Sequence, residues 1–217
     1  MKNTVVKILL TAAVVTPVAV FAQPRPGNPT TATAITHQEI AKISATEQNQ
    51  QTRDENSKVV DIGDGWSMEL GIIHRKSTRN PPPAAPAANA QAAGERKPCG
   101  RQVANPPADA FKGALTHDTQ TEGYYIVSGG GTAFIDGEVI NGRHSDSNPD
   151  GGPNGPGCGG LSIGSRKVEL AVGDVLIVPQ GVVHGWFDIP DHVDYLSFRP
   201  SHNVMKNGWV NPTIAAK

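Results

Sequence analysis

Charged side chains are scarce in this sequence of 217 residues, where they make up 18% of the total. The 19 lysines and arginines are balanced by 20 aspartates and glutamates, so the formal net charge is -1. Proteins that bind DNA or RNA normally present a clustered basic surface. We therefore expect no nucleic-acid partner.

Long hydrophobic runs are missing beyond the N-terminus. Positions 8–21 are apolar apart from two threonines and a proline, they follow Lys2 and Lys7, and they end in Val20-Phe21-Ala22. A basic start, a short apolar run and small residues at its end predict a secretory signal peptide, residues 1–22, cleaved near Ala22. An uncleaved anchor is the alternative, but a membrane span needs about 20 apolar residues. The mature protein is predicted to be periplasmic or secreted and to have no membrane contact.

Only two cysteines are present, Cys99 and Cys158, each in a segment rich in glycine and proline. An even number of cysteines in an exported protein favours a disulfide bond. A metal site is the weaker interpretation, because neither cysteine has a histidine or a second cysteine nearby. Two free thiols are the third possibility.

The order of segments predicts one domain with tails. Residues 23–57 are expected to form a flexible N-terminal segment with a short helix over His37–Thr46, which Thr36 and Glu39 would begin as a capping box. A barrel over residues 58–205 and a C-terminal tail over 206–217 follow. The tracts Asn80–Ala93 and Asn141–Gly160 are rich in Gly, Pro or Ala and predict long surface loops.

The predicted barrel is made of many short strands. Apolar residues alternate with polar ones over positions 66–72, so Trp66, Met68, Leu70 and Ile72 are predicted to face inward, and His74 shares their parity. Gly129-Gly130-Gly131 is predicted to be a turn and Asp136-Gly137 a hairpin. The 24 glycines and 18 prolines and the near absence of helix favour a sandwich or barrel.

Two motifs carry the chemistry. The first contains His117 and Glu122, and the second runs from Gly173 through Pro179 and Gly181 to His184. Together they resemble the two motifs of the cupin superfamily, over a stretch from about Gly113 to Phe198. The resemblance implies an all-β fold, a double-stranded β-helix (jelly-roll) barrel with a short N-terminal helix and long Pro/Gly-rich loops.

The same resemblance implies a divalent metal, one of Fe, Mn, Zn or Ni, held by His117, Glu122 and His184. Leu115 stands where the family usually has its first histidine, so His74 or the side-chain carbonyl of Gln120 could replace it. A lone carboxylate in an apolar barrel is costly to ionise, and a cation would remove that penalty. Two histidines and a carboxylate suit a mononuclear site with open positions.

The surroundings of this site predict a pocket for a small, partly apolar or aromatic molecule. Its expected walls are Leu115, Tyr124, Ile126, Trp186, and Tyr195 or Ser197. Tyr124 is the candidate catalytic proton donor, and Arg199 and Arg143 are expected at the surface or rim. The predicted function is a metal-dependent cupin enzyme, with oxygenase, isomerase and lyase chemistry all open. The alternative is a non-catalytic periplasmic binding protein. A homodimer through the strand Trp66–Ile73 is also expected.

Overall fold

A computed structural model describes residues 27–45, 50–81, 96–146, 155–202 and 204–215. Within these ranges it contains one α-helix, α1 (His37–Ser44), and strands that form an extensive antiparallel sheet structure. The strands are β1 (Thr52–Gly63), β2 (Trp66–Lys76), β3 (Pro98–Cys99), β4 (Phe111–His117), β5 (Glu122–Ile135), β6 (Glu138–Ser145), β7 (Gly157–Ile163), β8 (Arg166–Ala171), β9 (Val175–Val178), β10 (His184–Asp188) and β11 (His192–His202). The predicted signal peptide lies outside the described residues, in which no helix is both long and apolar enough to cross a membrane.

The capping box at the start of α1 is present. Glu39 N donates to Thr36 Oγ1 at 3.3 Å, and Thr36 N donates to Glu39 Oε2 at 2.8 Å. These two bonds provide acceptors for backbone N–H groups that would otherwise have no partner at the start of a helix. The helix contacts β1 and β2, and Lys58 on β1 pairs with Glu39 at 2.7 Å.

The strands form two sheets that share β5. One sheet has the order β1-β2-β11-β5-β9, and the other has the order β3-β6-β7-β4-β10-β5, with β8 also paired to β5. Every ladder between these strands is antiparallel. Two antiparallel sheets joined in this way form a jelly roll. The predicted all-β, cupin-like barrel is confirmed.

The interior between the sheets is filled from β5 outward. Glu122, Tyr124 and Ile126 are buried, whereas Tyr125 and Val127 between them are exposed. This alternation is what a strand with one buried face requires. Tyr124 and Ile126 belong to an apolar cluster completed by residues of β2, β5, β8 and β11 and the loop before β11: Ile73, Ala133, Leu170, Ile189, Val193 and Tyr195.

The triple glycine on β5 is a bend and not the predicted turn. β5 continues through it from the first sheet, where it pairs with β11, into the second, where it pairs with β8 and β10. Gly129 has a φ of 65°, and a Cβ there would lie 2.0 Å from the carbonyl oxygen of His192. Glycine is therefore required at the point where the strand changes sheets.

Two further loop predictions are wrong. Asp136 and Gly137 have the positive φ values of a tight turn, but β5 and β6 on either side pair with other strands and do not form a hairpin. The predicted loop Asn141–Gly160 is partly strand, because β6 extends to Ser145 and β7 begins at Gly157.

The predicted disulfide is present: Cys99 on β3 is bonded to Cys158 on β7, with Cα atoms 5.9 Å apart.

The segments beside the predicted barrel take part in its sheets. β1 begins at Thr52, inside the segment 23–57 that was expected to be flexible. In the C-terminal tail, Gly208 N donates to Val59 O and Asn211 N donates to Ser57 O, each at 2.9 Å. The tail therefore packs against β1.

The inner face of β2 is opposite to the predicted one. Ile73 lies in the interior cluster and Arg75 lines the cavity described below, so odd-numbered residues face inward. Trp66 is 39% exposed, whereas Glu69 is fully buried. Leu70 and Ile72 are buried as well, on the opposite face of the strand. The strand is also bonded on both edges, to β1 and to β11. Within the chain, β2 therefore has no open edge for a second copy, and the homodimer stays a prediction.

Candidate metal centre

Three strand ends bring the two motifs together. His117 is the last residue of β4, Glu122 is the first of β5, and His184 is the first of β10. Gly181 N donates to His117 O at 2.7 Å, which ties the second motif to the first. Pro179 follows the last residue of β9 directly, as expected of a residue without an amide proton.

The three side chains form a buried group. His117 and Glu122 are each 2% exposed and His184 is 4% exposed, and one ligand atom of each lies within 4.8 Å of the others. Glu122 Oε2 lies 3.3 Å from His117 Nε2 and 3.2 Å from His184 Nε2. Among the described residues, no fourth His, Cys, Asp or Glu joins this group.

The hydrogen bonds of the histidines fit a ligand role. His184 Nδ1 lies 3.1 Å from the carbonyl oxygen of Val182. A proton on Nδ1 would make this bond and would leave the lone pair on Nε2 free for a metal. Neither ring nitrogen of His117 has a hydrogen-bond partner in the described part of the chain. Buried polar atoms normally have a partner, so a cation at Nε2 would remove an unsatisfied atom.

Tyr124 is bonded to the same carboxylate oxygen. Its hydroxyl donates to Glu122 Oε2 at 2.6 Å. Burial, together with the nearby charge of Glu122, raises the pKa of Tyr124 well above its ordinary value. The hydroxyl is therefore protonated at neutral pH and is a donor to the candidate ligand.

Arg199 lies in the centre of the barrel and not at the rim, so its predicted position is wrong. It is 1% exposed, because its odd position on β11 places it opposite Glu69 on the inner face. Its Nε donates to Glu122 Oε1 at 2.8 Å, and its Nη2 donates to both carboxylate oxygens of Asp54, at 2.9 and 2.8 Å. Gly71 leaves the room for it, since a Cβ there would lie 2.9 Å from Arg199 Cζ.

This arginine changes the electrostatic argument for a metal. Burial alone would raise the pKa of Glu122, but Arg199 and the two neighbouring imidazoles hold it well below its usual range. The carboxylate is therefore ionised without a bound cation. A metal is therefore not needed to offset the burial of Glu122, and the case for a metal rests on the histidines and on geometry.

Glu69 is a second buried carboxylate, which sequence reasoning placed on the outer face. It accepts from Asn56 Nδ2 (3.3 Å), Gln120 Nε2 (3.0 Å) and Ser201 Oγ (3.2 Å). Burial, opposed by Arg199 and these donors, raises the pKa of Glu69 to about 7. The sequence signal that could have indicated this polar interior is the alternation of Ser197, Arg199 and Ser201 with apolar residues along β11.

A cavity of about 270 Å³ opens beside the three candidate ligands. Leu115, Tyr124, Trp186 and Tyr195 line it, as predicted. Ile126 packs in the apolar cluster instead, and the hydroxyl of Ser197 lies 3.4 Å from Glu122. Three polar residues of the first two strands also line the cavity and were not anticipated: Thr52, Asp54 and Arg75.

The two suggested replacement ligands are not in the group. His74 faces away from the cavity, because the inner parity of β2 is odd, and its Nδ1 contacts a carboxylate oxygen of Asp194. Gln120 is buried but its amide nitrogen bonds Glu69, and it does not line the cavity. Leu115 lies opposite His184 in the β4–β10 pair, so an aliphatic side chain occupies the position of the missing histidine. Arg143 is exposed.

Comparisons with known proteins add little to this description. No protein-family model and no curated protein matches the chain. Among solved structures, KdgF from Halomonas sp. aligns with 67% of this chain and 89% of its own, at 10% sequence identity and a TM-score of 0.29. The strand topology itself, and not this similarity, defines the chain as a cupin-like jelly roll.

Proposed function

We propose that this protein is a metal-dependent enzyme that acts on a small, partly apolar or aromatic organic molecule. The observation that carries the proposal is the buried group of His117, Glu122 and His184 at the wall of a 270 Å³ cavity. Ligand pockets are typically concave, mostly apolar and supplied with a few convergent polar groups. This cavity is concave and has convergent polar groups, with Tyr124 and Trp186 as aromatic walls, but its lining is about equally polar and apolar.

The residues fit a divalent ion of the Fe, Mn, Zn or Ni type. Two imidazole nitrogens and one carboxylate oxygen are ligands that these ions accept, and three protein ligands leave positions open. When bound, such an ion would act as a Lewis acid toward a substrate oxygen or provide a site for dioxygen. Oxygenase, isomerase and lyase reactions all use this chemistry.

The protein residues around the group would hold and move protons. Val182 fixes the orientation of the His184 ring, and Arg199 fixes the orientation of the Glu122 carboxylate. We assign Tyr124 the role of proton donor, since its hydroxyl is protonated, lines the cavity and is 2.6 Å from Glu122 Oε2. The single proton of this hydroxyl is donated to Glu122, so its transfer to a substrate would break that hydrogen bond, and water would have to return a proton to the phenolate.

Metal content of the purified protein tests this function. We expect close to one equivalent of a transition metal per chain in protein isolated without added metal, measured by elemental analysis. His184→Ala should lose most of it. The matched control is His37→Ala, because His37 is an exposed histidine in the first turn of α1. Substoichiometric metal that is the same in all three proteins would rule out the metal site.

A non-catalytic small-ligand-binding protein is the second candidate, and two observations favour it. Arg199 already neutralises Glu122, and Leu115 occupies the place of a further ligand. The two candidates differ in how they respond to a chelator. If chelator-treated protein binds small molecules as tightly as untreated protein, and neither turns them over, the binding function is correct.

We also propose export and self-association. The Cys99–Cys158 disulfide is typical of proteins in oxidising, extracellular compartments. N-terminal sequencing of the exported protein should show a start near residue 23. Light scattering coupled to size exclusion should show a homodimer.

A further inference from the structure

Arg75 is a cation of the cavity that forms no ion pair with an acidic residue in the described part of the chain. It lies on the inner face of β2, opposite Thr52 of β1 and Val193 of β11. Its side chain is partly buried and lines the same cavity as His117 and His184. A guanidinium at a cavity wall can bind an anionic ligand when some of its N–H groups are not hydrogen-bonded to the protein.

The hydrogen bonds of Arg75 reach only neutral groups. Nε donates to the Tyr195 hydroxyl at 2.9 Å, and Nη1 donates to Thr52 Oγ1 at 3.1 Å. The cavity carboxylate of Asp54 has both oxygens bonded to Arg199 and acts on Arg75 only at longer range. Within the described residues, no carboxylate lies within the 4.0 Å of an ion pair with Arg75, and Nη2 has no hydrogen-bond partner.

The hydroxyl groups of Tyr195 and Thr52, which accept hydrogen bonds from Arg75, can also donate one toward the cavity. A hydroxyl that accepts one hydrogen bond still has its own proton to donate, and this holds for Tyr195 and Thr52. Burial raises the pKa of Tyr195, although Arg75 opposes the shift, so the hydroxyl is protonated at neutral pH. Arg75 Nη2 and the Tyr195 hydroxyl therefore present neighbouring donors, the arrangement that a carboxylate accepts.

The balance of charges would favour an anionic ligand once a divalent ion is bound. Glu122 and Asp54 contribute two negative charges, and their partner Arg199 together with Arg75 contributes two positive charges. The protein groups thus sum to zero before any cation binds. A divalent ion on the histidines would leave an excess of +2, which an anion would reduce.

We propose that Arg75 binds the carboxylate of a small organic acid, with the Tyr195 hydroxyl as the second donor. The inference rests on the proposed function, since it names the substrate class of the same cavity. The aromatic rings of Trp186 and Tyr124 would contact the apolar body of the acid. The volume of about 270 Å³ restricts that body to a single ring or a short chain.

Matched acids and amides test the proposal by calorimetric titration. The probes are benzoate, phenylacetate and hexanoate, each compared with its primary amide, on metal-loaded and on chelator-treated wild-type protein. We expect at least one acid to bind about tenfold or more tightly than its amide, as a charge-assisted hydrogen bond would give. Acids that bind no better than their amides, or no binding by any probe, would overturn the proposal.

Variants of Arg75 test whether this residue causes the preference for acids over amides. Arg75→Met should abolish the preference for acids while metal content stays unchanged, and Arg75→Lys should retain part of it, because the charge remains but the fork is lost. Arg101→Met is the control, since Arg101 is an exposed arginine paired with Glu138. A preference that survives Arg75→Met would overturn the proposal.

The two proposals fail in different ways. If His184→Ala and the wild type are both metal-free but still prefer acids through Arg75, the enzyme function is wrong and the acid site stands. If the wild type holds its metal but shows no preference for acids, the metal centre stands and the role of Arg75 is wrong.

Discussion

Replacing Arg199 by methionine should strongly destabilise the fold. The guanidinium is 1% exposed and bonds two carboxylates, Glu122 and Asp54, in the barrel interior. Methionine fills a similar volume but removes the guanidinium that is bonded to both acids. Removing one partner of a buried ion pair costs about 3–5 kcal/mol, and we expect a loss of that size in the free energy of unfolding at pH 7. Urea denaturation of chelator-treated protein, with the disulfide intact, measures it.

The pH dependence of this loss is a second part of the same prediction. The pKa of Glu122 in the folded wild type is below 4.5, so the stability from its ionised form is present above pH 4.5 and is lost as the pH falls below it. In the variant, protonation of Glu122 removes an uncompensated buried charge. The difference in free energy of unfolding between the wild type and Arg199→Met should therefore become smaller below about pH 5.

Arg101→Met provides the comparison for this experiment. Arg101 makes an equally close bidentate contact, to Glu138, but both side chains are about half exposed. Surface ion pairs contribute little to stability, so this variant should unfold almost like the wild type. If Arg199→Met loses no more stability than Arg101→Met, the account of the barrel interior is wrong.

Three further predictions concern other residues of the interior and its border. The pKa of Glu69 is raised to about 7, so the wild type loses the stability contributed by protonated Glu69 as the pH rises from 4.5 to 7. Glu69→Gln does not titrate, and its free energy of unfolding should therefore rise relative to that of the wild type by roughly 3 kcal/mol over this interval in urea denaturation. A difference between the two proteins that does not change with pH would contradict this prediction. Replacing Cys99 and Cys158 by serine removes a crosslink between positions 59 residues apart and should cost about 4 kcal/mol of unfolding free energy in urea denaturation; a variant as stable as the wild type would contradict this. Leu115→His should add a ligand opposite His184 and tighten Zn²⁺ binding by about tenfold, a modest value for one partner in a metal site; unchanged affinity would show that position 115 does not reach the ion.

The fold and the three candidate ligands could be predicted from the sequence because they depend on short motifs. The second motif fixes a strand end at Pro179 and a turn at Gly181, and His184 follows at the start of β10. The alternation of Glu122, Tyr124 and Ile126 fixes which face of β5 is buried. Such local patterns are determined by strand geometry and by the missing amide of proline.

The polar interior could not be predicted, because its contacts join distant strands. The alternation on β2 was assigned to the wrong face, since Leu70 and Ile72 are apolar and Glu69 is charged. The register with β11 reverses that assignment, because it places Glu69 opposite Arg199, and both are buried. Only this pairing, over a long sequence separation, makes a charged inner face stable.

The glycines of β5 were misassigned for a related reason. Three consecutive glycines usually indicate a turn, and nothing local distinguishes a turn from a bend. Gly129 bends because the carbonyl of His192 approaches it from the neighbouring strand, and that contact exists only in the folded barrel. The bend transfers β5 between the sheets and so places Glu122 and Ile135 in different sheets of one barrel.

Anomalous diffraction from crystals soaked with Mn²⁺ or Zn²⁺ tests the central claim most directly. The account predicts one strong peak about 2.0–2.2 Å from the Nε2 atoms of His117 and His184 and from a carboxylate oxygen of Glu122. The peak should be absent from crystals of His184→Ala treated in the same way. Wild-type crystals in which surface carboxylates bind the ion but this position stays empty would contradict the metal centre.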